Sequence, residues 1–258
     1  MKTVREIYEY LEMIFSLVKR DLRGRYKGSV LGFLWTFINP LLQLMVYTLV
    51  FSVIMRNGIK DYYLFLFVAL IPWIFFSTCV SGGCGCILGS ADMVKKIYFP
   101  REVLPIAFVT GNFVNMLLCF IVVFAVLIVS GKGLNPVALL FLPIIMVVEY
   151  VLALGMALLF SALTVFLRDL MHVMGIVTMA WQFMTPIMYD ESMVPDKLMF
   201  VFRLNPMSSV ITAYRQILYY KEIPDLSTLA EAVIVGIALL LIGLAVFKNR
   251  QRHFAENL

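Results

Sequence analysis

The sequence predicts an all-α integral membrane protein: six transmembrane helices, an N-terminal amphipathic interfacial helix, a short cytoplasmic helix and short external re-entrant helices. The first observation is composition, because 62% of the 258 residues are hydrophobic, 14% are charged and the mean hydropathy is +0.94. Soluble domains are about half apolar and roughly a quarter charged. The second is a series of long uncharged stretches, and the third is a helical repeat near the N-terminus. No stretch is polar enough for a separate soluble domain, so residues 1–258 are expected to form one transmembrane domain.

Residues 1–28 are predicted to form the interfacial amphipathic helix. Apolar side chains recur there at helical spacing, with charged and polar side chains on the opposite face; the apolar set is Val4, Ile7, Tyr8, Leu11, Ile14, Phe15, Val18 and Leu22. A helix of this kind lies in the headgroup plane of a bilayer. A cleaved signal peptide has a short apolar core and few acidic residues, so the glutamates at 6, 9 and 12 exclude one.

Six apolar stretches are predicted to cross the membrane. About 20 apolar residues are needed, because each residue of a helix adds about 1.5 Å to a crossing of about 30 Å. The stretches are residues 30–55, 63–84, 103–129, 137–167, 173–189 and 228–247. The fourth is longer than a crossing requires, and the fifth is short and contains Pro186.

The distribution of Lys and Arg predicts the orientation. With six spans both termini lie on one side, and that side carries fourteen of the 21 basic residues. The positive-inside rule makes this side cytoplasmic. The pI of about 9.0 does not indicate a nucleic-acid partner, because the charges flank apolar spans instead of covering one folded face.

Two connections between spans are predicted to be structured. Residues 89–102, GSADMVKKIYFPRE, are cytoplasmic and predict a short helix over residues 92–98 that ends before Phe99-Pro100. A basic helix tipped with Ile97, Tyr98 and Phe99 suits docking to another protein, and a solvated loop with lipid-contacting lysines is the alternative.

The second structured connection is external and spans residues 190–226. Residues 198–202 form a short apolar run, and an apolar repeat at helical spacing follows; its members are Met207, Val210, Ile211, Tyr214, Ile217 and Leu218. We therefore expect two short helices that dip into the outer leaflet, with Asn205-Pro206 as the turn between them.

Few residues indicate chemistry. The phosphate-binding loop GxxxxGK followed by Ser or Thr is not found, nor is a Ser/His/Asp set. The CVSGGCGC stretch, residues 79–86, has neither a nearby His nor CxxC spacing, so small packing residues are favoured over a metal or redox site. Glu149 is the one ionisable residue deep in a span, and it should line a polar interior or pair with a neighbouring span.

Four stretches carry a resemblance to a known family. They are RYKGSVLGFLWTFINPLLQLMVY at 25–47, KKIYFPREVLP at 95–105, MTPIMYDESMVP at 184–195 and NPMSSVITAYRQILYY at 205–220. Their order and spacing resemble the permease subunits of polysaccharide-exporting ATP-binding-cassette transporters of the type-2 exporter family, which move O-antigen, capsule or teichoic acid.

The resemblance implies an assembly in the bacterial cytoplasmic (inner) membrane. Its parts would be a homodimer of permeases and two separate ATP-binding subunits, which would bind ATP and magnesium. The chain itself would be a transport subunit without a cofactor, metal or catalytic role. Its cargo would be a polysaccharide, usually linked to undecaprenyl diphosphate, and residues 89–102 would be the coupling helix that contacts the ATPase.

The roles expected for single residues fall into four sets. The residues expected to couple to the ATPase are Met93, Lys95, Lys96, Ile97, Tyr98, Phe99 and Arg101. The residues expected to meet a lipid diphosphate or headgroup are Arg20, Arg23, Arg25 and Lys27, although a topology anchor alone would also explain them. The residues expected to line a channel, or else to serve packing and interface belts, are Trp35, Phe37, Tyr47, Glu149, Tyr150, Trp181 and Tyr189. The residues expected at the external gate are Asn205, Pro206, Tyr214 and Arg215.

Three other functions stay open on the sequence alone. A related permease could export a drug or a small lipid. A secondary transporter would show inverted repeats and several buried charges, which are not evident. A membrane-bound glycosyl- or acyltransferase would need a clustered acid, base or metal set at one interface, and none stands out.

Overall fold

The computed structural model describes residues 8–24 and 28–258, and the regular secondary structure of these residues is entirely helical. The first half comprises α1 (Leu11–Gly24), α2 (Trp35–Thr48, continued by the π-helical turn Leu49–Ile54), α3 (Tyr62–Gly83), α4 (Ala91–Lys96) and α5 (Val103–Val129). The second half comprises α6 (Pro136–Leu139), α7 (Leu142–Thr164), α8 (Leu170–Met184), α9 (Asp196–Leu204), α10 (Pro206–Arg215, continued by the π-helical turn Gln216–Tyr220), α11 (Leu226–Arg250) and α12 (Phe254–Asn257).

Five helical stretches within the described residues are long and apolar enough to cross a membrane. They are Gly32–Ile54, Tyr62–Gly83, Val103–Val129, Pro136–Thr164 and Leu226–Asn257. They correspond to five of the six predicted spans and confirm the all-α membrane class. The other predicted span, residues 173–189, overlaps α8, which has only 15 residues. Helix α8 ends at Met184 because Thr185 precedes Pro186 and adopts extended backbone. Helix length therefore does not confirm the count of six.

Helix α3 is the centre of the bundle. Its side chains from Leu64 to Trp73 are buried on every side, because α2, α5, α7, α8 and α10 all pack around it. Helix α2 is the opposite case, since about half of its large apolar side chains are exposed on the surface of the chain and the others are only half-buried. Both helices are strongly apolar in sequence, yet only α2 presents a broad face to lipid or to another protein.

One end of the bundle, here called the α1 end, has its own apolar cluster. Ile14, Leu17 and Val18 of α1 pack there with Val94 of α4 and with Phe99. The last turns of α7 and α11 join the same cluster, as does α12. Helix α1 thus turns part of its predicted apolar face to the protein, whereas Tyr8 and Phe15 of that face are exposed. Lys19, Arg20 and Arg23 are exposed as well.

The opposite end, here called the α10 end, gathers polar and aromatic groups. The Lys132 ammonium lies 2.5 Å from a carboxylate oxygen of Asp61 and 5.1 Å from the ring centre of Tyr219. The side-chain amide of Asn135 donates to the carbonyl oxygen of Lys221 at 2.9 Å. These contacts join the α2–α3 and α5–α6 connections to the chain that follows α10.

Helices α7 and α11 approach each other so closely at Gly155 and Gly243 that neither position has room for a Cβ atom. A Cβ placed on Gly155 would lie 2.6 Å from the backbone nitrogen of Leu240. A Cβ on Gly243 would overlap the carbonyl oxygen of Gly155, whereas at Gly236 the nearest atoms would be 3.8 Å away. Small residues allow membrane helices to pack backbone against backbone in this way. The two helices therefore form one tight seam through the bundle.

Candidate functional site

Helix α4 projects from the α1 end and carries the predicted coupling residues. Asp92 lies in its first turn and Lys95 and Lys96 in its last, an order that complements the helix dipole. The helix ends at Lys96, two residues before the predicted end, because Ile97 adopts extended backbone ahead of Pro100. The Asp92–Lys96 pair is 3.9 Å apart and largely exposed, so it adds little to stability.

Of the three residues that follow α4, Ile97 and Tyr98 are exposed and Phe99 is buried. Tyr98 is 97% exposed and Ile97 is 57% exposed, so two apolar side chains stand out at the tip of the segment. The sequence predicts Phe99 at the same tip, but this ring is only 6% exposed and packs in the cluster of the α1 end. Met93 also packs partly against that cluster. Among the residues predicted to couple to a partner, the exposed ones are therefore Ile97, Tyr98 and the two lysines.

The C-terminal residues contact the base of this segment, a contact that sequence reasoning missed. A guanidinium nitrogen of Arg101 donates to the carbonyl oxygen of Gln251, and the Gln251 side chain donates to Glu102 at 3.3 Å. The Phe254 ring is fully buried, with the Arg101 guanidinium 5.8 Å from its centre. The signal in the sequence is weak, namely the apolar residues Phe254 and Leu258 in a largely polar tail.

A cleft of about 460 Å³ runs beside the exposed pair. Its walls come from the start of α1, from the coupling segment and from the C-terminal residues; the lining residues are Glu9, Tyr10, Ile97, Tyr98, Phe99, Pro100, Arg101, Glu102, Gln251 and Arg252. Three parts of the chain that are distant in sequence thus form one surface.

The basic residues of α1 border a second groove. It has a volume of about 760 Å³ and a mainly apolar lining, with Lys19 and Arg23 as its cations and Phe33 of the α2 entry on the other side. Arg20 instead lines a smaller cavity of about 200 Å³ together with Asp21, between α1 and the start of α5. Arg25 and Lys27, the other two members of the predicted cluster, lie outside the described residues.

The aromatic residues predicted to line a channel do not converge on one cavity of this chain. The Trp35 indole donates to the Ser29 hydroxyl at 3.1 Å, and Phe37 packs edge-on against Phe33, both at the α2 entry. Three others make contacts inside the bundle: Tyr47 accepts from Gln182, Tyr150 shares a hydrogen bond with Thr110, and Trp181 packs on Phe76. These three act as packing residues within a single chain.

Glu149 lies in a pair with Tyr214. Both side chains are fully buried, and the Tyr214 hydroxyl donates to one carboxylate oxygen of Glu149 at 2.7 Å. The other oxygen has no hydrogen-bond partner among the described residues. The Tyr214 ring also stacks on Phe120 of α5. Glu149 therefore faces a neighbouring helix, as a carboxyl group at this depth should.

Asn205 links α9, α10 and α8 at one point. Its side-chain oxygen accepts from the Met207 backbone N–H at 3.0 Å, which caps α10, and Pro206 occupies the first helical position. The same oxygen accepts from the Trp181 indole, and its amide donates to the Thr185 hydroxyl, both at 2.9 Å. The two short helices are thus tied at their junction to the end of α8.

Arg215 fixes the other end of α10. Its guanidinium is almost fully buried and donates to the carbonyl oxygens of Phe65, Ile187 and Tyr189, at 3.4, 2.5 and 3.2 Å respectively. Its central carbon lies 3.6 Å from the centre of the Phe65 ring. Burial lowers the pKa of Arg215 to about 10, against the opposing charge of Asp190, so the side chain stays charged at neutral pH.

Asp190 supplies a carboxylate whose charge acts on this buried cation. It accepts from the Ser192 backbone and hydroxyl and from the Tyr220 hydroxyl. Desolvation works against the charged form, but these hydrogen bonds and the Arg215 charge outweigh it and lower the pKa of Asp190. At neutral pH, Asp190 and Arg215 are therefore an anion and a cation at the α10 end.

The bundle and its two ends define the class of protein. Helices of membrane length surround a buried central helix, with an exposed segment at one end and hydrogen-bonded short helices at the other. Among the described residues, no group of three or more His, Cys, Asp or Glu is placed to hold a metal ion. The arrangement is that of a multi-pass helical membrane protein.

Comparison with known proteins assigns the family within this class. The model of the ABC-2 type transporter family matches residues 12–219, and the chain belongs to this family. It is 36% identical to the O-antigen export system permease protein RfbA of Myxococcus xanthus over 260 residues, the full length of both chains. Identity to a permease of the same name from Klebsiella pneumoniae is 32%, over 95% of this chain and 94% of the relative. The polysialic acid transport protein KpsM of Escherichia coli is 23% identical over 92% of each chain. The resemblance described from the sequence is confirmed.

Proposed function

We propose that this chain is the membrane-spanning subunit of an ATP-driven exporter that moves a polysaccharide across the cytoplasmic membrane. The observation that carries this function is full-length similarity to permeases named for O-antigen export, extended by a more distant polysialic acid transport protein. The cargo class is a long glycan, such as O-antigen, capsule or teichoic acid, carried on a lipid. The working assembly is a homodimer of this chain with two ATP-binding subunits, which hold ATP and magnesium.

The function is tested in cells from which the chromosomal gene for this chain has been deleted. Loss of surface glycan, with lipid-linked glycan accumulating inside, is expected, and a plasmid copy should restore export. A tagged chain purified gently should bring down a partner that contains GxxxxGK followed by Ser or Thr. Unchanged surface glycan, or a chain that purifies without such a partner, would favour a secondary transporter or an exporter of small lipids.

Six crossings and cytoplasmic termini are part of the proposal. Val165 and Phe166, just before α8, pack at the α1 end, whereas Ile187 and Tyr189, just after it, bind Arg215 at the α10 end. The chain between them therefore has to pass from one end to the other. Helix α8 covers about 22 Å of that path, and the residues after it are enclosed by protein, where irregular backbone is tolerated.

The position of the termini agrees with an even number of crossings. Tyr10 and Leu11 near the N-terminus and Leu258 at the C-terminus all pack against the same cluster at the α1 end. Most of the Lys and Arg that the structure describes also fall at this end, so we apply the positive-inside rule and propose that it is cytoplasmic. The α10 end, with α9, α10 and Arg215, is then external and forms the closed exit gate.

Tyr98 is proposed as the main contact to the ATP-binding subunit. Removing an aromatic anchor from an interface costs about 2 kcal/mol, so Tyr98→Ala should lower glycan export by about tenfold or more. The amount of chain in the membrane should stay unchanged, because Tyr98 is exposed and supports no packing. Quantitative blots of surface glycan and of the tagged chain measure both. The matched control is Tyr63→Ala, a partly exposed tyrosine at the opposite end; equal export by both variants would remove Tyr98 from the docking role.

The groove beside α1 is proposed to receive a lipid diphosphate. An apolar channel bordered by Lys19 and Arg23 suits an acyl or prenyl chain with an anionic headgroup, and Arg matches phosphate oxygens through its fork of N–H groups. Arg20 adds charge on the adjacent face of α1.

Replacing both Arg20 and Arg23 by Gln should weaken binding of undecaprenyl diphosphate in nanodiscs by about 30-fold, at about 1 kcal/mol for each charge near the surface. Binding of uncharged undecaprenol should not change. Arg56→Gln, an exposed arginine on the α2–α3 connection, is the control. If the double variant binds the diphosphate normally but inserts with altered topology, the cluster is a topology anchor only.

A further inference from the structure

The last eight residues of the chain, 251–258, form a compact structure that none of the roles described above explains. The Phe254 ring packs between two other rings, 5.3 Å from Phe247 and 6.2 Å from Phe166 measured between ring centres. Phe247 belongs to α11 and Phe166 follows α7, so Phe254 closes the seam between these helices at the α1 end. Its burial is complete.

The same residues hold the base of the coupling segment. Arg101 donates to the Gln251 carbonyl and lies over the Phe254 ring, and the Gln251 side chain reaches Glu102. Arg101 and Glu102 come immediately before α5 and three to four residues after Tyr98. Helix α12 also contacts α4 directly. The tail thus touches the coupling segment on both sides of its exposed tip.

The coupling segment needs such support. A helix of six residues, the length of α4, is not stable alone in water. Its own buried contacts are few, chiefly Val94 and Phe99. A side chain as exposed as Tyr98 transmits a push only if the backbone that carries it is fixed to the bundle, and Arg101 with Glu102 provides the fixed point through the tail.

We propose that residues 251–258 are a clasp that joins the coupling segment to the α7/α11 seam. A push by the ATP-binding subunit on Tyr98 then reaches α11 directly through Arg101 and Phe254, as well as α5 through the chain. The clasp also forms one wall of the 460 Å³ cleft, so Gln251 and Arg252 belong to the surface that the ATP-binding subunit meets. This inference rests on the proposed function, since it assigns a route to a movement that the partner supplies.

The experiment uses the complex of this chain with its ATP-binding subunit, in cells and after purification in nanodiscs. Phe254→Ala removes the ring, and Arg101→Met removes the hydrogen bond and the charge while keeping much of the side-chain length. Arg101→Lys keeps the charge over the ring and is the conservative variant. Arg56→Met is the control, because that arginine is exposed on the α2–α3 connection at the opposite end of the bundle. Four quantities are measured: chain in the membrane, ATP-binding subunit retained, ATP hydrolysed and glycan exported.

If the clasp transmits movement, its disruption should uncouple ATP hydrolysis from glycan export and should not remove the protein from the membrane. In Phe254→Ala and Arg101→Met the amounts of both subunits should stay close to the original and ATP hydrolysis should continue, while export falls by about tenfold. Arg101→Lys should export at an intermediate level, and Arg56→Met should match the original chain.

Two results would overturn the clasp. The first is normal export by both disruptive variants. The second is loss of both from the membrane, because the tail would then serve folding alone. Failure of the proposed function looks different: the unaltered complex itself would show no ATP-dependent export of glycan.

Discussion

Replacing Gly155 by alanine is expected to abolish accumulation of the folded chain in the membrane. The new Cβ would lie 2.6 to 2.9 Å from backbone atoms of Leu239 and Leu240, and backbone cannot rotate away as a side chain can. Helices α7 and α11 would have to separate along their whole seam, at a cost of about 3 kcal/mol or more. The measurement is the yield of monodisperse chain after detergent extraction, compared at equal expression.

Two other glycines serve as controls for this substitution. A Cβ added to Gly175 of α8 would meet no atom within 4 Å, and one added to Gly236 of the same seam would have neighbours at an ordinary distance of 3.8 Å. Both alanine variants should accumulate normally, since they gain helix propensity without a clash. A normal yield of Gly155→Ala beside these controls would show that the seam between α7 and α11 is looser than the close approach implies.

Replacing Arg215 by methionine is expected to release α9 and α10 while the rest of the bundle stays folded. The change leaves the carbonyl oxygens of Phe65, Ile187 and Tyr189 without their shared donor. Each buried unpaired group costs about 1 to 3 kcal/mol. A loss of only about 2 kcal/mol raises the population of a displaced segment by about 30-fold. Hydrogen–deuterium exchange of α9 and α10 in nanodiscs should therefore accelerate, with little change in α3 or α5.

The matched variants separate charge from geometry. Arg215→Lys keeps the cation but lacks the planar fork that reaches three carbonyls at once, so its exchange should fall between the two extremes. Arg56→Met removes an exposed arginine at the same end and should change nothing. Unaltered exchange in Arg215→Met would mean that Asn205 and the Glu149–Tyr214 pair suffice to hold α9 and α10 in place.

Local chemistry made part of the fold predictable. The junction at Asn205-Pro206 follows from a capping side chain next to a residue that favours the first helical position, and the structure begins α10 at Pro206. The five long spans follow from length and hydropathy. Hydropathy could not tell the enclosed α3 from the exposed α2, because lipid is as apolar as a protein interior and both helices satisfy the same pattern.

The contacts that define the site lie between residues far apart in sequence. Arg101 meets Gln251 across 150 residues, and Arg215 meets Phe65 across the same separation. Neither contact produces a periodic pattern of residue types in the sequence. Arg215 was singled out only through the family resemblance, and its three carbonyl acceptors are backbone atoms that any residue type would supply. The burial of Phe99 was equally hidden, because it depends on α1 folding over the start of α5.

The enclosure of α3 has a consequence for how the chain is made. This helix leaves the ribosome early, whereas α7, α8 and α10, which cover it, are synthesised well after it along the chain. During translation α3 must therefore wait among lipids, with α2 as its neighbour from the chain before it, until the later helices arrive. Its side chains have to satisfy two solvents in turn, first the acyl chains and then the packed interior. A polar side chain introduced into α3 could find a hydrogen-bond partner in the folded bundle, but it would first cost free energy in the lipid. Membrane insertion therefore restricts the sequence of α3 more tightly than the final structure does.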